Sequence, residues 1–230
     1  LYLTSKITTI GNNVYKNAYN LYTVVLPDTL TSMGTGCFEL STVQSFTLGN
    51  TLTAIPDKTL KSCNMLSTID ISNATSIGDE VFMDTNFSTI DLSNIVTIGE
   101  KAFKDSYNLN NVDLSSCTAI GDYAFDGVYN CNPTFGEGLL TLGAYAFYNN
   151  YSTVTLDIPS TVTSIGDSCF DSNYDVTSIK IRATTPPTLG SNVFSNIYGT
   201  TQILVPTSAL SAYGGAGASF GGLTVTDGQF

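Results

Sequence analysis

Apolar residues return along this chain at a nearly fixed distance. Ile10, Met33, Ile55, Ile77, Ile98, Ile120, Leu142, Ile165 and Leu189 are separated by 23, 22, 22, 21, 22, 22, 23 and 24 residues. A Gly follows each of them except Ile55, which precedes Pro56. A period this tight over most of a chain marks a repeat architecture and outranks local propensity. With these residues as position zero, position five is Tyr15, Phe38, Leu60, Phe82, Phe103, Phe125, Phe147, Phe170 and Phe194. Position four is small or medium, as in Val14, Cys37, Ala102, Ala124 and Cys169. Three residues before the next zero stands another apolar side chain, as in Leu30, Leu52, Ile95, Leu139 and Val162.

A third apolar set has the form L-x-x-I-x-L, as in Leu66-Ile69-Ile71, Leu109-Val112-Leu114 and Val176-Ile179-Ile181. Its last two members alternate with polar residues, which is strand periodicity. The sixth copy is degenerate, with Cys131, Pro133 and Phe135 in these slots. Asn12, Thr35, Asp57, Asp79, Glu100, Asp122, Asp167 and Ser191 follow the Gly or Pro, where a helix N-cap belongs. The pattern therefore predicts about nine coils of roughly 22 residues, each with one short parallel strand and a short helical or 3₁₀ turn. One coil cannot bury its own Phe and Leu. Coils stacked about 4.8 Å apart, like residue over like, bury them together.

The register covers residues 1–206. Residues 207–230 depart from it and are expected to form an atypical C-terminal cap or a linker, with Gly214–Gly222 rich in Gly. Leu1 and Leu3 fall where strand residues of an earlier coil belong, so further repeats or a cap are expected to precede the chain.

Composition narrows the function classes. The formal net charge is −11, with only 12% charged residues, and Ser, Thr and Asn fill the gap. Nucleic acid needs clustered Lys and Arg, so it is excluded as a partner, as is an anionic membrane surface. No apolar run reaches the length of a membrane span, so no membrane insertion is expected. There is no His, and no pair of the five Cys stands at C-x-x-C spacing. Cys37 and Cys169 take the small core slot, Cys117 an apolar slot and Cys131 the Leu slot, so the thiols read as buried core residues. No catalytic, cofactor or metal residues are assigned. Every polar residue belongs to a column, and a column does not make the singular site that catalysis needs.

Two outward columns are the candidate binding residues. Position nine carries Tyr19, Tyr107, Tyr129, Tyr151, Tyr174 and Tyr198, the last five in consecutive coils. Stacking turns them into a strip of rings along one edge. That strip is either a contact surface for a partner's side chains or for sugar rings, or a cover over the seam between turn and strand. On the strand, Asp70, Asp91 and Asp113 share a column with Asp157 and Lys180. Like charges across a sheet are mildly destabilising. The row either meets a cation or basic partner, or keeps an open sheet polar. The sequons at Asn73, Asn86 and Asn150 carry little weight in a chain this rich in Asn, Ser and Thr.

The copies IGDEVF, IGEKAF, IGDYAF and IGDSCF, with LPDTLTSMG and IPSTVTSIG, resemble the repeat of the BspA-like leucine-rich repeat proteins. Cys63 stands three after the aromatic slot, where that family often has Cys, and residues 181–213 resemble its closing segment. The resemblance covers roughly residues 1–213. Leu60, Pro56 and the irregular sixth strand depart from the pattern and put local coil geometry in doubt. The resemblance implies a curved, right-handed solenoid on the cell surface or in the extracellular space. It further implies an adhesin or recognition module for host matrix or bacterial surface proteins, with a glycan as the lesser candidate. The alternatives are a structural spacer about 40 Å long (nine coils at about 4.8 Å) in a longer surface protein, and a phage fibre domain.

Overall fold

Two of the apolar columns lie on strands, so each coil closes as a flattened loop filled by its own Phe, Leu and Ile. The computed structural model describes residues 1, 3–151, 155–197 and 201–230. Outside the coil from Ile77 to Ile98, the L-x-x-I-x-L segments form short parallel strands in the expected register. Thr23, Ser45 and Thr68 are opposite one another, as are Thr155, Ser178 and Gln202. The degenerate sixth copy still forms a strand, Pro133–Phe135, paired to Val112–Leu114.

Each coil carries a second strand that the pattern did not predict. It is two residues long and ends on the zero residue, from Thr9–Ile10 to Thr188–Leu189. Seven of these strands, Ala54–Ile55 through Thr188–Leu189, make one continuous parallel sheet. A two-residue strand has no alternation to read, which is why periodicity missed it.

The helical turn is a correction. The described residues contain no α-helix, and a 3₁₀ helix only at Thr207–Ala209. In its place, positions three and seven are left-handed in every coil. Position three includes Lys58, Glu80, Lys101, Tyr123 and Tyr145, and position seven includes Leu40, Ser62, Asp84 and Asp105. Such residues ordinarily cost about 1–2 kcal/mol each. They persist here because their amides bond to the neighbouring coil rather than to their own turn. Tyr123, Phe125 and Gly127 donate to the carbonyls of Ala144, Ala146 and Tyr148 at 2.8, 2.8 and 3.1 Å.

The polar residue after the Gly is accordingly not a helix N-cap. Asp57, Asp79, Asp122 and Asp167 accept from the amides of Asp79, Glu100, Ala144 and Ser191 in the next coil, at 2.9, 2.8, 2.7 and 2.6 Å. The Gly beside it is a packing requirement. A Cβ on Gly143 would sit 2.5 Å from the carbonyl carbon of Gly121, while its amide donates to Ile120 at 2.9 Å. Pro56 has no such amide. There the sheet divides: Ser32–Met33 pairs with Thr9–Ile10, and Ala54–Ile55 begins the seven-stranded sheet.

The aromatic column runs through the interior. Phe82, Phe103, Phe125, Phe147, Phe170 and Phe194 stack in series, with centroids 5.2, 4.9, 5.0, 5.7 and 6.0 Å apart. All five cysteines are buried. Position eight is a largely buried column, and several of its polar members bond main chain across coils. Cys63 Sγ donates to Phe38 O at 3.1 Å, Ser106 Oγ to Phe82 O at 2.7 Å, and Asn173 Nδ2 to Phe147 O at 2.8 Å. A small side chain that reaches a carbonyl suits this slot, which accounts for Cys there.

Residues after Pro206 leave the 22-residue register but stay on the solenoid. Leu223–Asp227 pairs in parallel with Gln202–Val205, and Ser219–Phe220 folds back antiparallel on it. Tyr213 is buried, and its hydroxyl donates to Ala183 O at 3.0 Å.

Candidate functional site

The tyrosine strip follows from two backbone facts. Position seven is left-handed, and the turn then sends position nine outward at the same height in each coil. Tyr107, Tyr129, Tyr151 and Tyr174 stack face to face, with centroids 5.1, 5.1 and 5.4 Å apart and planes 25°, 22° and 13° from parallel. Tyr107 is 44% exposed, and the other three are half-buried. Tyr198 lies outside the described residues, and Tyr19 stands apart on the first coil, 68% exposed. The Tyr107 hydroxyl donates to Asp105 Oδ1 at 3.2 Å, and that of Tyr151 to Asn149 Oδ1 at 2.6 Å. Partial burial, with the nearby Asp105 and Asp84 charges, raises the Tyr107 phenol above its usual range. Burial among its Tyr neighbours does the same at Tyr151.

The aspartate row is placed less simply. Asp70 ends its strand and Asp113 lies within one, but Asp91 is in a coil whose L-x-x-I-x-L segment forms no strand. That coil, Ile77 to Ile98, is the 21-residue one. It lacks one residue between Thr85 and Phe87, which removes the Tyr slot and shortens the turn into the strand. Each carboxylate closes a local turn. Asp70, Asp91 and Asp113 accept from the amides of Ser72, Ser93 and Ser115 at 3.2, 3.0 and 3.0 Å. The Ser93 amide and hydroxyl hold Asp91 below the usual carboxylate range. Asp157 is paired instead with Arg182, whose Nε donates to Oδ1 at 2.7 Å and whose Nη1 reaches Glu137 at 3.0 Å.

A second aromatic cluster escaped the sequence reading. Tyr123 and Tyr145, both at position three, stack at 4.8 Å and 2° from parallel, and Tyr148 meets Tyr145 edge-on at 5.6 Å. Lys101 and Lys104 lie 5.6 and 5.5 Å from the Tyr123 centroid. GDYAF and GAYAF carried the signal, but position three is otherwise mixed, so no column stood out.

The surface grooves lie elsewhere, along the two-residue strands. One of them, about 430 Å³, is lined by Gly143, Gly166 and Gly190 and by Asp122 and Asp167. Its flanking carboxylates each spend one oxygen on the next coil. Among the described residues no group of three or more His, Cys, Asp or Glu is placed to hold a metal ion. No helix among them is long and apolar enough to cross a membrane. Asn150, one of the three sequon positions, is buried and bonds Cys131 O at 2.5 Å.

Comparison with known proteins adds family and fold. The model described as "BspA type Leucine rich repeat region (6 copies)" matches residues 1–110 and 96–214. No curated protein matches the chain. A solved leucine-rich repeat protein from Bacteroides ovatus ATCC 8483 is similar at TM-score 0.63 and 21% identity, over 96% of this chain and 64% of that one. The chain thus spans less than two thirds of that protein. A leucine-rich repeat protein from Eubacterium ventriosum ATCC 27560 is similar at TM-score 0.53 and 19% identity, over 98% of this chain and 81% of that one.

Proposed function

We propose that this chain, which belongs to the BspA-type leucine-rich repeat family, is a non-catalytic recognition module of a surface-exposed or secreted protein. Its family and fold are those of repeat scaffolds for protein interaction. In this reading it binds a protein ligand, of the host matrix or bacterial surface class, along the strip of Tyr107, Tyr129, Tyr151 and Tyr174. The observation that carries it is the unbroken stack of those rings over four coils. Tyr offers large rigid area with a polar tip, which suits contact surfaces. Asp70, Asp91, Asp113 and Asp157 serve as a secondary surface, because local bonds already engage each of them.

A second reading is a structural spacer. It is favoured by how many outward polar groups are bonded between coils, from the Asp57 column to the Arg182 cluster. The test is binding of the purified chain to immobilised matrix proteins, bacterial surface proteins and glycans. Wild type is compared with a folded variant carrying Tyr129→Ser, Tyr151→Ser and Tyr174→Ser. Loss only in the variant supports the strip. Equal binding moves the site to the aspartate face. No binding by either form favours the spacer.

A further inference from the structure

Three features of the tyrosine strip narrow its partner's chemistry. First, the ring faces are occupied. With Tyr107, Tyr129, Tyr151 and Tyr174 stacked at 5.1 to 5.4 Å, no sugar ring fits between them. Rims and phenol oxygens are what reach solvent. Second, two of the four hydroxyl hydrogens point back into the chain. Tyr107 and Tyr151 donate to Asp105 and Asn149, two residues earlier in the same coil. Their oxygens therefore offer lone pairs outward as acceptors. Third, the stretch between the first and last of these tyrosines carries no positive charge, and Lys104, three residues before Tyr107, is bound to Asp126. No Lys or Arg occurs between Lys104 and Lys180, the stretch that carries all four rings. Exposed Asp84 and half-buried Asp105 flank one end of the strip, and Asp171 and exposed Asp175 the other.

We propose that the strip receives a basic polypeptide segment, rich in Lys or Arg. Aliphatic stems lie on the ring rims, while ammonium or guanidinium heads bond the phenol oxygens and the flanking carboxylates. This rests on the recognition reading above and adds the partner's chemistry. Lys and Arg combine an apolar stem with a donor-only head, matching apolar rims edged by acceptors. An acidic segment meets like charge at both ends of the strip. A neutral glycan finds no open ring face between the stacked tyrosines.

The probe is a short synthetic peptide alternating Lys and Ser, with its Glu counterpart as control, titrated calorimetrically into the full chain. The informative variant carries Tyr129→Phe, Tyr151→Phe and Tyr174→Phe, which keeps the rings and their stack and removes only the oxygens. Wild type is expected to bind the Lys peptide and not the Glu peptide. The Phe variant is expected to bind the Lys peptide about tenfold more weakly at an unchanged melting temperature. Tyr151→Phe alone gives the same ordering should the triple variant lose stability. Equal binding by wild type and Phe variant would overturn the proposal, since the attraction is then the diffuse pull of a net charge of −11. Absence of binding by wild type overturns it as well. The two readings fall separately. A wild type that binds immobilised proteins, loses them on Tyr→Ser substitution and shows no preference for basic ones keeps the recognition site and loses its cationic partner. Protein binding that survives Tyr→Ser substitution removes the recognition strip itself.

Discussion

Coils from Ile98 onward keep the repeat's length, its Gly and its Phe, with only the strand of the sixth copy irregular, whereas those between Met33 and Ile98 break all three. In the later half the Phe column stacks without interruption from Phe103 to Phe194, and the tyrosine strip stands outside it. In the earlier half Leu60 separates Phe38 from Phe82, Pro56 replaces the Gly, and one coil is a residue short. Each fault has a local effect. Pro56 coincides with the division of the two-residue-strand sheet, and the short coil with a missing strand. Neither spreads. Ile77 still pairs with Ile98, and Phe82 still stacks on Phe103 at 5.2 Å. Because each coil contacts mainly its neighbours, an error is paid for locally and the next coil resumes the register.

The largest expected effect tests the regular half. Phe125→Ala opens a cavity between Phe103 and Phe147 and should cost about 3–5 kcal/mol in urea or thermal unfolding. A change near zero would show that the column does not hold the array together. Next in size is a contrast between glycines. Gly143→Ala forces a Cβ against the preceding coil and should cost about 1–3 kcal/mol. At Gly11 the nearest atom to an added Cβ is Val14 Cγ2 at 3.7 Å, so Gly11→Ala should leave the melting temperature nearly unchanged.

A pH effect comes third. Burial pushes the Cys117 thiol up to about 12, with the Asp113 charge adding to it. An unfolded thiol titrates near 8.5. Above that pH the unfolded chain loses a proton that the native chain keeps, so stability falls as pH rises from about 8.5 toward 12. Burial raises the other four thiols as well, so Cys117→Ala should make this slope of melting temperature against pH shallower without removing it, and an unchanged slope would place the effect in those groups.

The smallest effects test the surface. Arg182→Ala breaks the exposed contacts to Asp157 and Glu137 and should cost no more than about 1 kcal/mol. Pro56→Gly restores the missing amide, worth about 0.5–1.5 kcal/mol. It also loosens the unfolded chain by a similar amount. Net stability should barely move, while hydrogen exchange at the new amide should be protected if the sheet closes there.

The 22-residue period, the Phe column, the long strands and the burial of Cys37, Cys117, Cys131 and Cys169 could be read from the chain alone, because each rests on burial that recurs at a fixed interval. The tyrosine column could be counted in the same way. What the tertiary structure decided is where local patterns have no voice. A two-residue strand has no periodicity, and a turn whose amides bond to the next coil looks in sequence like a helix that bonds to itself. Asp57 and Asp122 had the right residue type for an N-cap but face a neighbour 22 residues away. The state of the tyrosines was likewise beyond the sequence. Spacing could align the rings, but only stacked coils could turn their faces against one another and the Tyr107 and Tyr151 hydroxyls toward Asp105 and Asn149, leaving rims and oxygens as the surface a partner meets.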